Sequence, residues 1–165
     1  IGEARTEEWA KAVVGNMARA PRGGDTDQIK GVAVGECAVA LSNTYYYVRL
    51  LRSAKSEERE WAAKTGVVWP DQATYGTHVN IAGAGVLKNA PHRENAIRFL
   101  EYLAGDQAQA YFANGNNEWP AVKGAAATNP ELASLGVFKA DPLPSATLGK
   151  NTPAAQKLLD RAGWK

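Results

Sequence analysis

The sequence has one cysteine, Cys37, one methionine, two histidines and a formal net charge of only +2 over 165 residues. A single thiol closes no internal disulfide and leaves no CxxC pair for redox work or for a thiolate zinc cluster. No apolar run approaches the roughly 18 residues that cross a bilayer, and no Lys-rich amphipathic helix of the kind that lies on one is present. The 19 Lys and Arg are scattered among 17 Asp and Glu. That pattern is a solvated surface, without the concentrated basic face that grips nucleic-acid phosphates. Also missing are the GxSxG, HExxH and P-loop signatures of common hydrolases and nucleotide enzymes. There is no internal repeat and no low-complexity tract. The chain opens at Ile1, with neither an initiator Met nor a signal peptide in the sequence, and we expect that residues upstream have been removed.

What is present is the composition of a globular domain, 45% hydrophobic and 22% charged, long enough for one real core. The spacing predicts a helix over 6–17, capped by Thr6, with Trp9, Val13 and Met17 on one face. After Pro21 and the Gly23-Gly24 break, Asp25 or Thr26 would cap a second helix that Gly35 stops. Further helices are predicted over 45–53, 56–65, 91–104 (apolar stripe Ile97, Leu100, Leu103) and 106–114, with a short turn at Asn129-Pro130. A last helix opens at Thr152-Pro153 and stops at Gly163. Residues 37–42, 67–69 and 77–81 read as strands, the first burying Cys37 as an inert thiol. Strands alternating with helices give an α/β class. Residues 114–150, with Pro120, Pro130, Pro142 and Pro144, read as a long connection.

The most informative stretch is Asn43-Thr44-Tyr45-Tyr46-Tyr47, between a predicted strand and a predicted helix. Ligands of open α/β sheets bind at such turns, where backbone N–H groups and the helix dipole converge. Successive helical residues point about 100° apart, so two of the three tyrosines address one cleft while the third packs. A phenol ionises only near about pH 10 by itself, but a bound cation stabilises the phenolate, a hard oxygen donor suited to Fe(III). On the residues alone the run also reads as core or surface aromatics.

The run from Gly23-Gly24-Asp25-Thr26-Asp27-Gln28 through Gly35-Glu36 to Asn43-Thr44-Tyr45-Tyr46-Tyr47 resembles the ferric-ion substrate-binding proteins of bacterial ABC importers. So do Gly76-Thr77-His78-Val79-Asn80-Ile81-Ala82-Gly83-Ala84-Gly85-Val86 and the helix with Phe99-Leu100-Glu101-Tyr102-Leu103 and Ala108-Gln109. The resemblance covers nearly the whole chain. Its tyrosine motif is specific, whereas the later helix is generic to substrate-binding proteins. It implies an α/β, periplasmic binding protein-like fold (type II, a transferrin-like lobe) with two lobes joined by crossing strands. This chain would be a C-terminal fragment. Residues 1–76 and 129–165 would form the tyrosine-bearing lobe, and residues 77–128 the hinge crossing and a helical segment of the N-terminal lobe.

The implied function is binding of Fe(III) with a synergistic anion, phosphate or carbonate, and delivery to an inner-membrane ABC permease, with no chemistry on the cargo. Carried over residue by residue, Tyr45 and Tyr46 would bind the metal, Asn43 would help hold the anion, and Asp25 would be a weaker anion contact. Tyr47 would pack. The family's other ligands, a His, a Glu or a further Tyr, would lie upstream of Ile1, so a missing N-terminal lobe or a second chain is implied as partner. The implied location is the periplasm, free or lipoprotein-anchored on the outer face of the membrane.

Competing readings keep the same fold with another small ligand, an organic anion or a polyamine, or make the chain a hydrolase domain using Asp25, Asp27 and His78, or a partner-binding domain with no ligand. His78, without a carboxylate at ligand spacing, reads as structural, and His92 as solvated. Glu57, Glu58 and Glu94 read as helix-dipole residues. Gly83-Ala84-Gly85 reads as a strand needing close backbone approach.

Overall fold

The computed structural model describes residues 1–164. Its helices are α1 (Glu3–Gly15), α2 (Asp25–Ala33), α3 (Thr44–Leu51), α4 (Ser56–Ala63), α5 (Arg93–Leu103), α6 (Asp106–Tyr111), α7 (Pro130–Ala133) and α8 (Ser145–Ala162). A π-helical turn, Phe112–Asn116, continues α6.

Several ends follow local chemistry. Gly35, at φ 79°, supplies the left-handed stop after α2. Asn129 caps α7, its side chain accepting from the Leu132 N–H at 3.0 Å ahead of Pro130. Others differ from expectation. The α2 cap is Gly24, not Asp25 or Thr26, because the Asp27 carboxylate reaches back to the Gly24 N–H at 2.8 Å. Thr6 lies inside α1, its hydroxyl donating to the Gly2 carbonyl at 2.7 Å. The last helix starts at Ser145 and carries Pro153 within it. The proline forfeits one backbone bond, while Thr152 adds a side-chain bond to the Leu148 carbonyl at 2.9 Å.

The helices pack in two groups. In one, α1 lies on α8 around Ala10, Leu158 and Ala162, with Leu159 against them. The carboxylates of Glu3 and Glu7 both accept from Arg161 at that seam. In the other, α2, α3 and α4 enclose Ile29, Leu50 and Ala62, with Tyr46, Tyr47, Leu51 and Trp61 packed on them. Burying a side chain such as Leu50 contributes about 1.5–3 kcal/mol, so this group fixes the helix that bears the tyrosines.

The predicted strand segments form no ladder among the described residues. The β contact made is a parallel bridge between Thr77 and Ala140, in which the Thr77 N–H donates to Lys139 O and the Asp141 N–H to Thr77 O, both at 2.8 Å. Gln72 reinforces it, donating to Thr77 Oγ1 at 2.9 Å and accepting from the Lys139 N–H at 2.7 Å. Gly76 sits against this bridge at φ 98°, where a Cβ would lie 2.7 Å from the Ala140 carbonyl carbon. A strand is held by a neighbour about 4.8 Å away. Residues 37–42 meet none, so Val39 is 81% exposed.

Cys37 is therefore half-buried, not sealed in a core. It lines an apolar groove of about 680 Å3 with Trp9, Val13, Met17, Leu41 and Trp164. Gly83 and Gly85 face open space, without the close approach expected of them. No residue of α5 is buried; its stripe of Ile97, Leu100 and Leu103 is only partly covered.

Candidate functional site

The site is built where the N-termini of α2 and α3 meet. Asn43 is extended (φ −73°, ψ 140°) and caps α3. Its backbone N–H donates to Asp25 Oδ1 at 2.6 Å and its side-chain amide to the same oxygen at 3.2 Å. Asp25 is the first residue of α2, so one carboxylate joins both positive helix ends. The resemblance implies an anion contact at this position, and here the residue is itself a carboxylate bonded to Asn43.

Tyr45, Tyr46 and Tyr47 open α3, all half-buried. The Tyr45 and Tyr46 rings lie 4.5 Å apart between centroids, tilted by 42°. Tyr46 rests on the Ile29, Leu50 and Ala62 cluster and carries the Arg49 guanidinium 4.9 Å above its ring. Arg49 also donates to Thr26 Oγ1 at 2.8 Å. Tyr47 turns away, its hydroxyl donating to the carbonyls of Ala62 at 3.3 Å and Thr65 at 3.2 Å.

Burial pushes the Tyr45 phenol above its ordinary value, and the Tyr46 phenol, Asp25 and Glu118 push it further the same way. Burial alone raises Tyr47. With no cation nearby both phenols are neutral at physiological pH. A cation between the rings reverses that preference, since it favours the charged form directly. Phenol, amide and carboxylate oxygens form a hard donor set.

The other sequence candidates do not join this place. Asp27 spends its carboxylate on Gly24. His78 is exposed beside the Thr77 bridge, and among the described residues it makes no ion pair with Asp25 or Asp27. His92 stands exposed at the N-cap of α5. One residue absent from the sequence reading, Arg49, lies against the tyrosines, and another, Glu118, helps by its charge to raise the Tyr45 phenol. Arg49 follows Tyr46 by three and Tyr45 by four, a spacing that signals a shared helix face. Glu118 arrives from far along the chain with no local signal.

Residues 3–143 match the profile of the family described as bacterial extracellular solute-binding protein. Iron uptake protein A2 of Synechocystis sp. is 47% identical over 99% of this chain and 48% of its own length. The Fe(3+)-binding periplasmic protein of Serratia marcescens is 30% identical over 98% of this chain and 46% of its own. A solved Trichodesmium protein, in complex with iron and citrate ligands, superposes with a TM-score of 0.93 at 49% identity, over 99% of this chain and 52% of that one. The chain thus spans about half the length of the relatives it matches, and over that span it has their type II substrate-binding fold. The profile match over most of its length, together with this superposition, makes the chain a member of the bacterial extracellular solute-binding protein family.

Proposed function

We propose that the protein binds ferric iron in the periplasm, free or lipoprotein-anchored on the outer face of the membrane, and hands it unchanged to an inner-membrane ABC permease. The observation that carries this reading is the pair of phenols, Tyr45 and Tyr46, side by side at the N-terminus of α3. As phenolates they supply two hard, charged oxygens. Asn43 helps hold a synergistic anion, phosphate or carbonate; the citrate named with the Trichodesmium structure is a further candidate. Asp25 is the weaker anion contact, and its firmer part is to hold Asn43. The names of the Synechocystis and Serratia relatives support the metal. In this reading residues 1–76 and 129–165 belong to the tyrosine-bearing lobe, Lys165 lying outside the described residues, and residues 77–128 to the other. That other lobe, or a second chain, completes the ligand shell.

Titration of the intact protein with Fe(III) tests the proposal. A visible phenolate-to-iron charge-transfer band is expected, together with proton release and affinity that falls from about pH 8 to about pH 5, because iron must displace phenolic protons. Tyr45→Phe and Tyr46→Phe each delete a charged donor while keeping the ring. Each should cost more than the roughly 10–100-fold typical of outer-shell changes. No band, with binding of an organic anion or a polyamine that ignores both substitutions, would instead favour another cargo on the same fold.

A further inference from the structure

Beyond the Thr77 bridge, the polar ties of residues 78–128 to the rest of the molecule converge on one spot. Among the described residues, every hydrogen bond from this segment to residues 1–76 or 129–164 is made by Arg52 or Asn129. Arg52, the C-cap of α3, donates through Nη1 to the Asn114 carbonyl at 2.6 Å and to Asn117 Oδ1 at 2.5 Å. Asn129, the N-cap of α7 and 1% exposed, donates through Nδ2 to the Ala113 carbonyl at 2.8 Å and to the same Asn117 oxygen at 3.1 Å. The Trp119 ring adds an aromatic contact, 6.0 Å from Trp69 and 5.6 Å from Phe138.

The chemistry of a helix end explains the spot. Ala113 and Asn114 lie in the π-helical turn that continues α6, and the last carbonyls of a helix have no partner within it. Arg52 and Asn129 take up two of them, and a guanidinium also suits the negative end of the helix. Asn117 then turns the chain at φ 62°, a left-handed conformation that asparagine tolerates. The segment is braced within itself as well. Gln109 is 5% exposed; its amide donates to the Leu103 carbonyl at 2.7 Å, and its Oε1 accepts from the Ala121 N–H at 2.8 Å and the Val122 N–H at 3.3 Å. With α5 packed on α6, residues 93–122 form one braced unit, fastened to α3 and α7 through a single polar node.

We propose that this node is a pivot: Asn117, pinned by Arg52 and Asn129, is the point about which the α5–α6 unit turns relative to α3. A π-turn followed by a left-handed residue concentrates a change of direction in a few dihedrals, as a hinge requires. The pin keeps the unit in register with the helix that bears the tyrosines. Its consequence for iron rests on the reading above, in which the unit belongs to the other lobe. A unit already held in register loses little freedom when it closes on an ion, whereas a loosened one must be ordered each time.

The test is amide hydrogen exchange on the intact, iron-free protein, followed by release of Fe(III) to citrate. Arg52→Gln removes the charged pin. Asn117→Gly keeps the left-handed backbone and removes the shared acceptor, and it carries the test if Arg52→Gln does not fold. Each should speed exchange across residues 93–122 roughly tenfold while α1 and α8 keep their rates, as a local opening does. Arg52→Lys, a point charge without the fork, should fall between. In the iron-loaded protein the same variants should release iron roughly 5–150-fold faster, the range of a conformational coupling. The position of the charge-transfer band should not move, because no donor is lost. Exchange that rises evenly over the whole chain, or that stays unchanged in residues 93–122, would overturn the pivot. So would unchanged release beside a normal band. If exchange responds as expected but the unaltered protein shows no band, the pivot stands and the iron reading fails.

Discussion

Tyr46 and Tyr47 are neighbours in sequence but point about 100° apart around α3, and that turn divides their work. The Tyr47 hydroxyl bonds two backbone carbonyls at the end of α4, whereas Tyr46 pairs with Tyr45. Tyr47→Phe is therefore expected to lower stability by about 0.5–1.5 kcal/mol, read in urea unfolding, and to leave Fe(III) affinity unchanged. If Tyr47→Phe were the most damaging of the three in an iron titration, the assignment of the pair would be off by one residue. The triplet stood out in the sequence as three phenols at a helix start, a run that on the residues alone also read as core or surface aromatics. Arg49 was half legible, being at helical spacing from both rings. Glu118, whose charge helps to raise the Tyr45 phenol, was not, because it comes from a segment remote in sequence.

The packing of α1 on α8 carries a pH dependence of its own. Hydrogen bonds from Arg161 first, and from Lys11 next, hold the Glu7 carboxyl down to about 2 from an ordinary 4.5. A depressed carboxyl stabilises the fold above its unfolded value and stops doing so as pH falls through the folded one. The seam should be indifferent to pH from neutrality to about 5 and loosen between about 4.5 and about 2. Trp9 and Trp164, stacked at 6.3 Å across it, report this in near-ultraviolet circular dichroism. Arg161→Gln should flatten the acid transition; an unchanged transition would assign it elsewhere. Helix ends set by local chemistry, such as Gly35 after α2 and Asn129-Pro130 at α7, could be read directly. The start of α8 could not. A proline usually marks a first turn, but here one lost backbone bond is tolerated inside an 18-residue helix. The strands were visible as apolar runs only, since a ladder depends on partners that no local pattern specifies.

For the molecule as a whole, the apolar surface left open is large. Phe99 on α5 is 59% exposed, Val68 86% and Val137 100%, and residues 37–42 offer an unpaired edge beside the groove of Trp9 and Trp164. Large apolar side chains exposed in this number recruit a neighbour. The 165-residue chain taken alone is expected to associate in light scattering and to bind a hydrophobic dye. A compact, dye-free monomer would contradict this account of α5. Alternation of helices with apolar runs was enough to give the fold class, because it reflects a layered α/β plan; which edges meet is a property of contacts distant in sequence. At the Thr77–Ala140 bridge the contact is close enough to exclude a side chain. Tyr75 is 64% exposed and free to vary, while the next position, Gly76, has the Ala140 carbonyl against its α-hydrogen. Mutational tolerance thus changes abruptly between neighbours, and the residue least able to vary is the one with nothing to lose and no room to gain.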